Sequence, residues 1–253
     1  MRRYYKVLQP LLAIADIEKM YIPPQIDAKL GLYGNQLIHE KMLLKQLNVG
    51  NDSHILDIGC GAGRIANYAA QITGSRVSGF NIDAMQIESA VSYAEEIGMT
   101  ERLDFKVGDH HNPFDYADET FDGSYSFQAL WPFIKQNQLD GVAKEIYRVM
   151  KPGAIYGCGE YLLTPHFDSN NKHHMHLHKL FMPTLAATQS NYPADVTSAL
   201  ERAGFKVILS APSVAPTWPL TDQKTDLFIM MRNLIVRLNQ VRRRRDFQSL
   251  NAI

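Results

Sequence analysis

Apolar positions along this chain switch repeatedly between two periods. Short apolar or alternating runs at "HILDIG" (54–59), "RVSGFN" (76–81), "LDFKVGD" (103–109), "FDGSYSFQAL" (121–130) and "AIYGCGEYLL" (154–163) predict strands. Between them the apolar residues recur at helical spacing. One such stretch runs from Ala62 to about Ile72, and another follows Asp83 with Met85, Ile87, Ala90, Val91 and Ala94. A third, "LDGVAKEIYRVMKPG", is stopped by Pro152 and Gly153. "PADVTSALERAG" reads as a helix with Pro193 near its start and Gly204 at its end, and "KVILSAP" (206–212) as a further strand. Strands separated by helices of this length predict βαβ crossovers. The fold class is therefore α/β, with a doubly wound, mostly parallel sheet covered on both faces. Ligands of such sheets bind at the carboxyl ends of the strands. The loops after Gly59, Phe80, Gly108, Gln128 and Glu160 are accordingly expected to share one cleft.

Composition narrows the partners. At 253 residues the chain is long enough for one large domain with its own core. Its 26 Lys and Arg balance its 26 Asp and Glu, so the overall field gives no reason to expect a nucleic acid. The two cysteines, Cys60 and Cys158, show no metal-ligand spacing and fit a reducing, cytoplasmic compartment. The start is basic and then apolar, but Asp16, Glu18 and Lys19 interrupt it, which is too short a run for a signal peptide or a membrane span. A soluble protein is expected. Near the other end, Leu227, Met230, Met231, Leu234, Leu238 and Val241 form one helical stripe. It reads either as a helix packed on the domain or on a second subunit of a homo-oligomer, or as a surface helix. In the second case Arg242 to Arg245 would make peripheral contact with an internal, anionic membrane.

The chemistry concentrates in "ILDIGCGAGRIA". Gly59, Gly61 and Gly63 form G-x-G-x-G between a strand and a helix, where glycines permit a tight turn and let a ligand touch bare backbone near free helical N–H groups. Two residues separate neither pair of glycines, whereas a dinucleotide fingerprint spaces its third glycine more widely. Asp57 stands at the strand end before the first glycine. A buried acid there calls for a cation or several donors. It would repel a pyrophosphate and welcome the ammonium of an amino-acid cofactor, which points away from NAD and towards S-adenosylmethionine. The second strand ends in Asn81, where an acid commonly binds ribose, and Asp83 follows as a helix-cap candidate.

These residues resemble the first motif of class I S-adenosylmethionine-dependent methyltransferases. More narrowly, "VSGFNIDAMQI", "FDGSYSFQAL", "KEIYRVMKPG" and "GEYLLTPHFDSNNKHH" resemble the sterol C-24 methyltransferases and relatives that methylate terpenoid double bonds. The resemblance covers roughly residues 31 to 220. It implies a Rossmann-like, seven-stranded sheet in a single domain spanning residues 1–253. Residues 1–50 would form an N-terminal helical cover and 51–163 the cofactor-binding core. Residues 164–193 would form a lid insertion, and 194–253 the rest of the sheet and a helix. It also implies a site. Asp57, Gly59, Cys60, Gly61 and Gly63 would hold the methionine part of the cofactor, and Asn81 with Gln86 the ribose side. Asp109, flanked by His110, would accept from the adenine amino group. Gln128 would lie under the sulfonium, and Tyr33 and Gln36 would cover the cofactor. The sterol enzymes carry Glu where this chain has Gln128 in "FQALW", which leaves the sterol itself open as substrate. The absence of the C-terminal extension associated with those enzymes tilts the expectation towards a smaller terpenoid.

Methylating a carbon–carbon double bond leaves a carbocation, so the implied site must hold the alkene in line, exclude water and then remove a proton. Glu160 is the first candidate for that carboxylate and His110 the second. Tyr33, Tyr125, Trp131, Phe133 and Tyr161 are candidate aromatic walls, although Tyr125 and Trp131 fit a core equally well. Gln128 and Tyr161 complete the candidate catalytic set, and a small apolar isoprenoid is the expected partner. O- or N-methylation of a small natural product, and cofactor binding without catalysis, remain alternatives on the same platform. "NNKHHMHLH" could place three of His173, His174, His176 and His178 on one strand face like a metal site. No carboxylate pattern accompanies them and the family needs no metal, so a lid segment is expected instead.

Overall fold

The protein was analysed as a computed structural model, which describes residues 19–182, 187 and 189–210. The chain divides into two units, one of residues 1–162 with 188–216 and the other of 163–187 with 217–253. In the first unit the order is α1 (Leu32–Gln46), β1 (His54–Ile58), α2 (Arg64–Thr73), β2 (Arg76–Asn81), α3 (Ala84–Glu96) and β3 (Leu103–Val107). There follow β4 (Phe121–Phe127), two short 3-10 turns, α4 (Leu139–Val149), β5 (Met150–Gly159) and, after the second unit's α5 (Lys172–Phe181), α6 (Pro193–Ala203).

Local chemistry sets these boundaries. The buried positions of α4 (Leu139, Val142, Ala143, Ile146 and Val149) repeat at three and four residues and form one stripe. The helix ends where Met150 turns extended, two residues before Pro152. Asp83 caps α3 by accepting from the Gln86 N–H at 3.1 Å. The second helix, α2, is closed by left-handed Gly74, and α6 by left-handed Gly204.

The five strands are all parallel, in the order β3-β2-β1-β4-β5. The chain winds outward from β1 through β2 to β3, then returns to lay β4 on the other side of β1. The carboxyl ends of β1 and β4 therefore flank the topological switch point. Alternation along the strands builds a core on each face. Leu56 and Ile58 join Phe121, Trp131 and Ile146 on one face, while Ile55 and Val77 join Leu44, Ala69, Tyr125 and Phe127 on the other.

Every strand read in residues 54–163 is present, several ending earlier than read and the last also starting earlier. The last of them starts at Met150 rather than Ala154, because Pro152 and Gly153 run within the strand and do not precede it. The sheet has five strands among the described residues, against the seven implied. Residues 206–210 are not a strand, and Ile208 and Leu209 are exposed. A strand forms only where a neighbour takes its N–H and C=O groups, and among the described residues none lies beyond β5. Of the N-terminal cover, α1 is present. Residues 1–18, 211–212 and the apolar stripe with Arg242 to Arg245 lie outside the described residues. Among the described residues no helix is long and apolar enough to cross a membrane.

In the second unit the histidine-rich stretch is a helix where alternation had suggested a strand. Asn171 caps α5 by accepting from the His173 and His174 N–H groups, and Phe167 packs against His174 and His178, one turn apart.

The turn after β1 depends on its first glycine. Gly59 sits at φ +81, and a Cβ there would lie 2.4 Å from the Ala129 Cβ. Gly59→Ala should therefore cost roughly 2–4 kcal/mol of stability in urea unfolding, from left-handed strain and overpacking together.

Candidate active site

The site begins with Asp57. Strand alternation turns this side chain to the face that also holds Tyr125, its cross-strand neighbour in the β1–β4 register. The Tyr125 hydroxyl donates to Asp57 Oδ2 at 3.0 Å, and Asp57 is 3% exposed. Burial raises the Asp57 carboxyl to about 7, opposed by the Tyr125 hydrogen bond and assisted by the charge of Glu40. Oδ1 has no hydrogen-bond partner among the described residues.

The glycine loop gives Asp57 its surroundings. The Gly59 and Cys60 N–H groups donate to Phe80 O, tying the loop to β2. Gly63 is left-handed, and a Cβ there would meet the Phe105 ring at 2.8 Å. Gly61 is different. It too is left-handed, but a Cβ there would meet nothing closer than Gln86 Oε1, at 3.7 Å. Open space against bare backbone, beside the start of α2 that no side chain caps, suits a ligand. The Cys60 thiol is buried, and burial pushes its pKa well up, so it supplies backbone and no nucleophile.

Asn81 ends β2 and is buried. Its Nδ2 donates to Gln86 Oε1 at 2.5 Å, and Gln86 Nε2 points to the Met20 sulfur. Asp83 is spent as the α3 cap, so no acid takes the place of Asn81. Past β3, Asp109 Oδ1 accepts from the His111 N–H at 3.0 Å and pairs with His111 Nδ1 at 2.8 Å. Burial pushes Asp109 up, but the His111 amide and imidazole outweigh it and hold the carboxyl below its usual range. His110 is buried against His111, its Nε2 has no partner among the described residues, and burial lowers its pKa to about 4.

Gln128 takes a different occupation from the one expected. Its Oε1 accepts from the Ile22 N–H at 3.0 Å and its Nε2 donates to the Ile22 carbonyl at 2.6 Å. An amide can do both, whereas an ionised carboxylate has no hydrogen to give. Gln128 thus pins the segment before α1, and it does so from left-handed backbone at φ +50. Tyr161 donates its hydroxyl to the same Ile22 carbonyl. Gln36, expected over the cofactor, instead donates to the carbonyls of Lys19 and Tyr21. Nothing in the sequence had signalled the buried ion pair of Lys19 and Glu40, at 2.6 Å, which Tyr21 joins by donating to Glu40. Tyr33 is half exposed, its ring 5.3 Å from the Lys19 ammonium. Of the two readings open to Tyr125 and Trp131, core or wall, the structure gives the core, where both are fully buried, and Phe133 is nearly so.

Glu160 follows β5. Its Oε1 accepts from the Ser126 hydroxyl at 2.7 Å, while Oε2 is buried without a partner among the described residues. Burial raises this carboxyl to about 7 against the opposing Ser126 bond.

Comparison with known proteins places the fold. A family model described as a methyltransferase domain matches residues 55–153, from β1 into β5. A sterol 24-C-methyltransferase of Gibberella zeae is 29% identical over 191 residues, covering 73% of this chain and 49% of that protein. The chain spans about half the length of the first curated relatives it matches. Among solved structures, the cyclase SpnF has TM-score 0.65 at 23% identity over 80% of this chain and 71% of its own. A geranyl diphosphate methyltransferase in complex with GPP and sinefungin has TM-score 0.64 at 20% identity, over 76% of this chain and 73% of its own. These two structures carry the fold.

A hydrogen bond to a charged group contributes about 1.5–3 kcal/mol, so Asp57→Asn should weaken cofactor binding about 10–100-fold by calorimetry while leaving the circular dichroism spectrum unchanged.

Proposed function

We propose that the chain belongs to the class I S-adenosylmethionine-dependent methyltransferases, in the branch of the sterol and terpenoid C-methyltransferases, a reading that the matching methyltransferase domain and the sterol 24-C-methyltransferase relatives support. The protein methylates a carbon–carbon double bond in the side chain of an apolar isoprenoid, a sterol or a terpenoid. S-Adenosylmethionine, when bound, supplies an electrophilic methyl carbon. The residues of the cleft fit it: Asp57 Oδ1 is open to an ammonium, Gly61 is bare backbone, and the Asn81–Gln86 pair is uncharged beside the ribose position. Asp109 serves the adenine amino group through the oxygen that His111 leaves open.

The observation that carries the choice of carbon is Glu160. Once the alkene has given its π electrons to the new carbon–carbon bond, the substrate is a carbocation that must lose a proton. A carboxylate with one oxygen anchored by Ser126 and the other buried and unpartnered is suited to steady that charge and then take the proton. The C–H electron pair becomes the new double bond. Raised to about 7, Glu160 is ionised above neutrality and also basic enough to accept. His110, held near 4, is the weaker base. Gln128, Tyr161, Gln36 and Tyr33 act on the N-terminal segment, which keeps water from the cation. Names of relatives support the substrate class: curated ones are sterol 24-C-methyltransferases and a structural one acts on geranyl diphosphate.

The test is product analysis with S-adenosylmethionine labelled in the methyl group and a panel of sterols, linear isoprenoids and phenols. Label on carbon is expected. Label on oxygen would overturn the reading, and no label with cofactor bound would mark a non-catalytic protein. Glu160→Gln should lower turnover at least about 100-fold with cofactor affinity near that of the unaltered protein.

A further inference from the structure

Glu160 stands at the end of a hydrogen-bonded chain that no role discussed so far requires. The Trp131 indole Nε1 donates to the Tyr156 hydroxyl oxygen at 3.0 Å. That hydroxyl lies 2.9 Å from Ser126 Oγ, which is 2.7 Å from Glu160 Oε1. Alternation places Ser126, Tyr156 and Glu160 on one face of the sheet, opposite the face of Asp57 and Tyr125. Ser126 and Trp131 are buried.

The direction of this chain follows from its first member. An indole N–H can only donate. Tyr156 therefore accepts from Trp131 and has one hydrogen to give, for which Ser126 Oγ at 2.9 Å is the strong acceptor and the Cys158 sulfur only a weak one. Ser126, having accepted, gives its own hydrogen to Glu160 Oε1. Reversing the Ser126 hydroxyl would leave the Tyr156 hydrogen with only the weak Cys158 sulfur acceptor among the described residues, a loss that structures avoid. Oε1 thus receives a hydrogen whether Glu160 is ionised or neutral. A carboxyl proton on Oε1 would face the Ser126 hydrogen across 2.7 Å.

We propose that Ser126 and Tyr156 are positioning residues for Glu160: the one-way chain from Trp131 confines the carboxyl proton to Oε2, the oxygen left unpartnered. This rests on the reading of Glu160 as the group that takes the substrate proton, and it sharpens it. The proton leaves a carbon next to the cation, its C–H pair becomes the double bond, and it arrives on Oε2 while Oε1 stays an acceptor. Besides this chain, the Ala129 and Leu130 N–H groups favour the ionised form of Glu160, and the side chains facing it are neutral. Tyr156 from β5 is pushed up by burial and so is neutral, and the thiol of Cys158, an exposed residue, is shifted upward as well and is neutral too. His39 of α1, which lies against Gly159, is lowered by burial to about 4 and is neutral too. No charged side chain among the described residues shifts Glu160.

The test follows the Glu160 carboxyl by infrared difference spectroscopy on protein carrying 13C-labelled glutamate, with Glu160→Gln identifying the band, alongside the pH profile of methyl transfer. Losing a donor to the ionised form raises the acid's pKa. Ser126→Ala should therefore move both midpoints upward by about one pH unit, a tenfold change. Tyr156→Phe, which keeps the ring, should move them less in the same direction, and Ser126→Thr should restore them. A band midpoint unmoved in Tyr156→Phe and in folded Ser126→Ala would overturn the proposal. A moved band with an unmoved activity profile would uphold the chain and remove Glu160 from proton transfer, so the two failures are distinguishable.

Discussion

The contact between Asp57 and Tyr125 holds this site together. It spans β1 and β4, the two strands that meet where the winding of the sheet reverses, and it satisfies one oxygen of a carboxylate that burial would otherwise make costly. Everything around it follows from leaving the other oxygen open. The glycine loop must pass close by, so Gly59 and Gly63 are packed where a methyl group would collide, and Gly61 faces space. A neutral Asn81 on the neighbouring strand avoids adding a second negative charge to the same cleft.

Glu160 repeats the same arrangement on the opposite face. Asp57 is buried and Glu160 partly so, each has one oxygen anchored by a hydroxyl, Tyr125 in one case and Ser126 in the other, and each is raised to about 7. What differs is the occupant proposed for each. Asp57 lies beside bare backbone and an uncapped helix start, a seat for a zwitterion. Glu160 lies at the end of a hydroxyl chain rooted in the apolar core, a place for a proton. The N-terminal segment is tied to this end of the sheet by Gln128 and Tyr161 through Ile22, and to α1 by the buried pair of Lys19 and Glu40.

Much of this was legible in the sequence because it rests on local rules. The strands around Asp57, the cap at Asp83 and the stop before Pro152 each follow from a few adjacent residues. Gln128 was not legible. Its partners are the two backbone groups of Ile22, 106 positions away, and no spacing announces a side chain that pairs with backbone. Ser126 and Tyr156 were missed for a related reason, since strand alternation hides which hydroxyls stand beside one another until the β4–β5 register is known. Residues 173–178 misled in a different way. Their histidines suit alternation and helix alike, and the Asn171 cap settles the matter in favour of the helix.

The central claim is that an acid with one free oxygen seats a cationic amine at the switch point, and the proton it sheds on doing so tests this most directly. Calorimetry of S-adenosylhomocysteine binding in two buffers of different ionisation enthalpy counts that proton. Below about pH 7, where free Asp57 is largely protonated, binding should release more protons to the unaltered protein's buffer than to that of Asp57→Asn, and the difference should vanish well above pH 7. Equal proton release by both proteins at every pH would contradict the account.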